Sequence, residues 1–163
     1  IATFKGVKRR FETHVRNEKF VYIDDYAHHP RELDATISAA RELYPNKKLT
    51  VIFQPHLFSR TKDLCDEFAV SLSKADELIL LDIYPAREKP MPGVTSKIIL
   101  DKVSIDNKKN IVKEELLEVL KNTNKLEVIF GLVSCYYRSG DFKNSLRVSE
   151  EALAIFSKNK NPE

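Results

Sequence analysis

The chain has 163 residues, of which 42% are hydrophobic and 31% are charged. These values are typical of one globular domain, or of one domain with an appendage. Lys and Arg number 27 against 24 Asp and Glu, a formal net charge of +3, and because both signs are interspersed no nucleic-acid-binding stripe is indicated. A site for a small anion remains compatible with this composition.

Cysteine usage and hydropathy favour a cytoplasmic protein that does not enter the membrane. Cys65 and Cys135 lie far apart and form no CxxC motif, which favours two free thiols in a reducing compartment, with a bridge as the alternative. The longest apolar run, 78–81, is too short to cross a bilayer. The chain starts with Ile1 and shows no signal-peptide pattern, so we expect a piece of a longer protein.

Strand-like and helix-like segments alternate along the chain. Residues 9–15 and 19–24 predict a β-hairpin, and Pro30 then opens a helical pattern. Further strands are predicted at 49–53, 78–81 and 126–130, and further helices at 59–72, with Ser59 as N-cap, and at about 110–122. The apolar positions of the three helices are Leu33, Ile37, Ala40 and Leu43, then Leu64, Phe68 and Leu72, then Leu116, Leu117 and Leu120.

This alternation predicts an α/β fold: a Rossmann-like, mostly parallel sheet with helices on both faces. Unusual polar clusters follow three successive apolar runs, at 24–29, 54–60 and 82–89. In such sheets ligands bind beyond the carboxyl ends of the strands. We therefore expect the three clusters to meet at one edge.

The first cluster combines two carboxylates with two imidazoles, on Asp24, Asp25, His28 and His29. A divalent metal site is one interpretation, and a metal-dependent hydrolase would follow from it. A second is a nucleotide site in which Asp25 accepts from ribose hydroxyls and Tyr26 packs against a purine. A polar loop in which an Asp caps the next helix is a third. The residues alone leave all three open.

The second cluster indicates an anion pocket, because a helix N-terminus offers unpaired N–H groups and Arg60 adds a guanidinium fork. The alternative is a Ser59 cap beside a surface Arg. The nearby run Lys8-Arg9-Arg10 is either a solvated surface or a contact with nucleotide phosphates. Cys65 falls inside a predicted helix and is expected to be a buried thiol. No G-x-x-x-x-G-K-S/T string occurs, so ATP hydrolysis by these residues alone is not expected.

Four strings together carry a specific resemblance: FKGVKRRFE at 4–12, DDYAHHP at 24–30, FQPHLFSRTKD at 53–63 and DIYPAREKPMPG at 82–93. In order and spacing they resemble the Mur ligases, in the branch that joins L-alanine to UDP-N-acetylmuramic acid. The resemblance covers roughly residues 1–125. It implies residues 1–15 as the end of a central domain and 16–125 as the carboxyl-terminal domain.

The resemblance implies an ATP-dependent amide-bond ligase of peptidoglycan precursor synthesis. This domain would close over a nucleotide held mainly by the central domain with Mg²⁺, and it would not be active alone. Partners would be UDP-N-acetylmuramic acid, L-alanine, ATP and the enzyme's own amino-terminal and central domains. The implied site residues are His56 and Arg60 for the amino acid, Arg10, Asp25 and Tyr26 for the nucleotide, and His28 and His29 for positioning at the domain junction. No residue is assigned as catalytic or as a metal ligand.

Residues 126–163 depart from this pattern. After the predicted strand they resemble a single tetratricopeptide repeat, a helical hairpin with matching residues at Leu132, Tyr136, Gly140, Phe142, Ser145 and Ala152. One repeat cannot bury its own apolar face, so it needs the α/β domain, another repeat or a protein partner. The alternative function is thus a non-catalytic interaction module that presents this hairpin.

Overall fold

The computed structural model describes residues 7, 9–18, 21–122 and 128–131. Within these residues, six strands form one sheet in the order β1-β2-β6-β3-β4-β5. The strands are β1 (Glu12–Arg16), β2 (Val21–Asp24), β3 (Leu49–Phe53), β4 (Glu77–Leu81), β5 (Lys108–Ile111) and β6 (Val128–Gly131). The first two pair antiparallel and every other pairing is parallel. The predicted α/β class and the predicted hairpin are confirmed.

Five α-helices connect or follow these strands within the described residues. They are α1 (Pro30–Leu43), α2 (Phe58–Asp63), α3 (Cys65–Leu72), α4 (Lys97–Leu100) and α5 (Leu116–Asn122), with a 3₁₀ turn at Lys113–Glu115. None of the helices in the described part of the chain is long and apolar enough to cross a membrane.

The strands β2, β3 and β4 are buried on both faces. Alternate strand residues such as Ile23, Val51 and Leu80 are at most 1% exposed and form one core with α1, α3 and α4. Their neighbours on the opposite face, such as Ile52 and Ile79, are at most 4% exposed. Continuous apolar strands are expected for a parallel sheet covered on both sides.

Two predictions of helix position and one of helix burial are wrong. The predicted helix at 59–72 is two helices, since the chain turns at Leu64 (φ −112°, ψ 23°). The helix predicted from residue 110 begins later, because Lys108–Ile111 pairs with β4 as an edge strand. Because that strand has one apolar residue, its sequence does not show the hydropathy pattern of a strand. Leu43 is 60% exposed rather than part of the apolar face of α1.

The interpretation of residues 126–163 falls almost wholly outside the described residues. Only Val128–Gly131 is described, and it forms the predicted last strand, inserted between β2 and β3. The domain boundary at residue 15 stays a prediction, although Glu12–Arg16 is already part of this sheet. The predicted buried thiol is confirmed: Cys65 is 7% exposed, its Sγ donates to the Ile98 carbonyl at 3.2 Å, and burial raises its pKa.

Stability should depend on the aromatic contact beneath α3. Phe68 is fully buried with its ring centroid 5.4 Å from that of Phe53. We expect Phe68→Ala to lower the free energy of unfolding by about 3–5 kcal/mol, measured by urea denaturation. Val70 lies on the same helix and is 67% exposed, so Val70→Ala should change it by less than about 0.5 kcal/mol. Equal effects of the two substitutions would contradict this packing.

Candidate functional site at the carboxyl edge of the sheet

The three polar clusters meet where β2, β3 and β4 end, a region we call the carboxyl edge. Parallel pairing of β3 with β4 continues past both strands as a bridge between His56 and Tyr84. The ring of His56 stacks on that of Tyr84 with centroids 5.5 Å apart. Tyr84 N–H donates to the Pro55 carbonyl at 2.8 Å, and Leu57 N–H donates to the Tyr84 carbonyl at 3.0 Å. The segment after β4 therefore forms one wall of the edge.

At the first cluster, His29 rather than an aspartate caps α1. Its Nδ1 accepts from Arg31 N–H at 3.4 Å, and Glu32 reaches back to accept from His28 N–H at 2.9 Å and His29 N–H at 3.1 Å. This is a capping box, which satisfies N–H groups at the start of a helix. Glu32 also lies 3.2 Å from His28 Nδ1. The loop at 28–29 is therefore fixed by the helix that follows it.

Asp25 joins this loop to the segment that precedes β1. Its two carboxylate oxygens accept from Phe11 N–H and Ala27 N–H, each at 2.7 Å. The residue is 7% exposed, and burial raises its pKa against the opposing effects of these hydrogen bonds and of Arg10. Phe11 has φ 49°, so its hydrogen bond holds a backbone conformation that is unfavourable for a side-chain-bearing residue.

Tyr26 lies between two arginines and a histidine. The guanidinium carbons of Arg9 and Arg10 are 5.2 and 5.6 Å from the centre of its ring, and the His28 ring meets it edge-on at 5.2 Å. Arg9 Nε also lies 3.3 Å from Asp24. Arg10 is exposed and Tyr26 is half-buried. An exposed cation over an aromatic ring is attracted to the ring, and the same pair can bind a planar ligand that packs beside it.

The second cluster differs from the predicted anion pocket in one important respect. Ser59 is not the N-cap of α2: that position is Leu57, at φ 72° and without a side-chain cap. Glu88 occupies the helix start instead, accepting from Ser59 N–H at 3.0 Å and from the Ser59 hydroxyl. The N–H groups expected to hold an external anion are therefore bonded to a carboxylate of the same chain. Arg60 is left as the anion-binding group.

Positive charge nevertheless concentrates at the carboxyl edge. Burial lowers the pKa of His56, and the charges of Arg60 and His28 lower it further while Glu88 opposes them. Burial likewise lowers the pKa of His28, with Glu32 opposing and Arg60 and Arg10 adding to the effect. Both imidazoles are therefore neutral at pH 7, beside two permanent cations. The structure thus brings together six of the seven predicted residues, with His29 serving as the helix cap.

No three His, Cys, Asp or Glu side chains are arranged to hold a metal ion in the described part of the chain. Asp24 of the first cluster is instead paired with residues outside the cluster: its carboxylate lies 3.3 Å from Arg9 Nε and 3.9 Å from His14 Nε2, and its hydrogen bond raises the pKa of His14. Sequence reasoning missed Glu32 as part of the edge, and it placed Tyr84 and Glu88 there within the 82–89 cluster without giving either a role. Glu32 follows the helix-opening Pro30 by two residues, a detectable capping signal, whereas the contact of Glu88 with Ser59 is tertiary and leaves no local signal.

Comparison with known proteins places this geometry in a family. The family model described as Mur ligase, glutamate ligase domain, matches residues 9–131, which includes every described strand and the whole carboxyl edge. The chain belongs to the Mur ligase family. The resemblance drawn from the four strings is confirmed.

Several relatives of this Mur ligase domain are much longer than the matching segment. The UDP-N-acetylmuramate–L-alanine ligase of Flavobacterium psychrophilum is 57% identical over 129 residues, which are 79% of this chain and 29% of that protein. That of Parabacteroides distasonis is 57% identical over 129 residues, 79% of this chain and 28% of that protein. The crystal structure of UDP-N-acetylmuramate–alanine ligase from Thermotoga maritima aligns at TM-score 0.62 and 28% identity, covering 90% of this chain and 31% of that one. The chain therefore spans under a third of each.

The surroundings of His14, His28 and His56 predict the direction in which the pKa of each imidazole is shifted. His28 and His56 should titrate below the ordinary value of about 6.5, and His14 above it, as read from imidazole C–H resonances in NMR. Because the folded pKa values of His28 and His56 lie below the unfolded value, their contribution to stability is present above about pH 6.5 and is lost as pH falls through the folded values.

Arg60→Gln should raise the pKa of both His28 and His56, since the guanidinium charge lowers both, and should leave His14 unchanged. An unaltered His56 titration in this variant would contradict the arrangement.

Proposed function

We propose that this domain is the carboxyl-terminal part of an ATP-dependent ligase that joins L-alanine to UDP-N-acetylmuramic acid, and that its carboxyl edge binds the amino acid. The observation that carries the proposal is Arg60. Its Nη1 is buried and has no hydrogen-bond partner among the described residues. A buried guanidinium nitrogen without an acceptor is unfavourable, and a carboxylate from a ligand satisfies it with the geometry that Arg favours.

His56 complements Arg60 in this role. Its ring is fixed by stacking on Tyr84, and its pKa is lowered. At pH 7 it therefore offers a neutral ring nitrogen beside the charged Arg60. We assign His56 and Arg60 to the amino-acid carboxylate and to the orientation of the amine. An amine attacks an acyl phosphate only when neutral, and a cationic surrounding disfavours its protonated form. The cation-rich edge therefore assists the nucleophile.

The nucleotide contacts are proposed around the loop that follows β2, at the same edge. Arg10 is exposed beside the ring of Tyr26 and is assigned to the nucleotide, with Tyr26 packing near adenine. Asp25 is assigned to ribose, although its oxygens already accept two backbone hydrogen bonds, because each carboxylate oxygen has a second lone pair. ATP thus fits the residues present. The residues that the structure describes supply no ligand set for Mg²⁺, which would be held by the central domain and the phosphates.

Closure of this domain over the nucleotide would exclude water from an acyl phosphate and bring the amine to it. His28 and His29 are assigned to positioning at the domain junction. Their backbone N–H groups are both held by Glu32, so the loop that carries them moves with α1 as a unit. No proton-transfer role is assigned to either imidazole.

A chimera tests the proposal. The matching 129 residues of the Flavobacterium psychrophilum ligase would be replaced by those of this chain, and alanine-dependent phosphate release would be measured with ATP, Mg²⁺ and UDP-N-acetylmuramic acid. We expect activity that requires all four components, with the unmodified ligase as positive control. A folded chimera that is silent, beside an active control, would contradict the proposal and favour the non-catalytic interaction module.

Arg60 gives a sharper test in the same chimera. Arg60→Ala should raise the KM for L-alanine on the order of 10- to 100-fold, the loss expected for a charge-assisted hydrogen bond, and leave the KM for ATP nearly unchanged. Lys62→Ala is the matched control, since Lys62 is exposed on the same helix. Unchanged alanine kinetics in Arg60→Ala would remove Arg60 from the site.

A further inference from the structure

Glu88 makes its principal contacts far from its own place in the chain. It follows β4, yet its carboxylate accepts from Ser59 N–H at 3.0 Å and from the Ser59 hydroxyl. These two bonds, with a smaller effect of the Phe58 N–H, lower the pKa of Glu88. The N–H groups of the first turn of a helix have no partner within the helix. Leu57, the N-cap of α2, supplies no side-chain cap. Glu88 therefore provides the cap that the local sequence lacks.

The segment between β4 and Glu88 places this carboxylate beside α2. Tyr84 continues the pairing of β4 with β3 beside His56, and Gln54 Nε2 donates to the Asp82 carbonyl at 3.0 Å. The chain then reverses through Ala86, at φ 53°, and Glu88 N–H donates to the Pro85 carbonyl at 2.9 Å. This turn brings the carboxylate of Glu88 to the beginning of α2. A left-handed alanine is unfavourable by itself, so the surrounding contacts maintain the turn.

The backbone that Glu88 holds lies between His56 and Arg60. Leu57 connects them in a conformation of φ 72° and ψ 134°, which a residue with a side chain adopts only when its surroundings enforce it. Arg60 is in the first turn of α2, one residue after Ser59. Fixing Phe58 and Ser59 from outside the helix therefore fixes the separation and relative orientation of the imidazole and the guanidinium.

We propose that Glu88 is a positioning residue of the amino-acid site, which caps α2 from the segment after β4 and thereby holds Arg60 and His56 for one ligand. This inference rests on the proposed function. Glu88 is not assigned to the substrate, because its negative charge repels the carboxylate of an amino acid. Its negative charge also opposes the lowering of the His56 pKa, so it acts on the site electrostatically as well as geometrically.

A measurement without catalysis tests the capping step. In the 163-residue chain, amide hydrogen exchange would be followed by NMR for Glu88→Ala and for Glu42→Gln, which changes an exposed glutamate of α1. We expect faster exchange at Phe58 and Ser59 in Glu88→Ala, with the β3 amides unaffected, and a lower pKa for His56. Glu42→Gln should change none of these. Unchanged exchange at Phe58 and Ser59 would overturn the inference.

Kinetics of the chimera test the consequence for the substrate. Glu88→Ala should raise the KM for L-alanine on the order of tenfold, as expected when a charged site loses its fixed geometry, with the KM for ATP within about twofold. Glu88→Gln retains one acceptor oxygen and should recover part of the loss. Adding Ser59→Ala to Glu88→Ala should bring little further change, because the Ser59 hydroxyl acts through Glu88.

The two proposals fail differently. A parent chimera that uses alanine, together with an unchanged alanine KM in Glu88→Ala, would overturn the positioning role and leave the ligase function intact. Equal rises in the KM for alanine and ATP would mark Glu88 as a general support of the fold, which also contradicts the inference. An inactive but folded parent chimera would overturn the ligase function itself, whatever the exchange data show for α2.

Discussion

Two glutamates hold the beginnings of the helices that rise from the carboxyl edge, and the geometry of the candidate site depends on them. Glu32 bonds the N–H groups of His28 and His29 from within α1. Glu88 bonds the start of α2 from a different segment. A helix start left without partners is unfavourable. Here the cap of α1 also holds His28 and His29, assigned to the domain junction, and the cap of α2 adjoins Arg60, assigned to the amino acid. The hydrogen bonds that cap the two helices therefore also position the residues of the candidate site.

The same glutamates moderate the charge of the site. Arg60 lowers the pKa of both His28 and His56, and Arg10 lowers that of His28. Glu32 opposes this effect at His28, and Glu88 opposes it at His56. The balance leaves the imidazoles neutral and the guanidinium groups charged. An edge of this kind suits a carboxylate whose neighbouring amine must remain unprotonated, because each additional positive charge makes a protonated amine less favourable.

Much of this arrangement was predictable from the sequence, because periodicity and polar clusters report on local structure. The buried runs at β2, β3 and β4, and the polar residues that follow each, predicted a parallel sheet with a site at one edge. The strand β5 was missed because an edge strand needs little apolar character. The cap of α2 was missed for another reason. Ser59 has the chemistry of an N-cap, but the N-cap position is taken by Leu57 at φ 72°, and Glu88 supplies the acceptor from 29 residues away in sequence.

The central claim is that the carboxyl edge recognises an amino-acid carboxylate through the charge of Arg60. The most direct measurement compares L-alanine with L-alaninamide, its neutral amide, as acceptors for the chimeric ligase, using kcat/KM for each. The account predicts that the amide is poorer by on the order of 100-fold, as for a charged group left unpaired in a buried site, and that this difference largely disappears in Arg60→Ala. Equal use of the two acceptors by the unsubstituted chimera would contradict it.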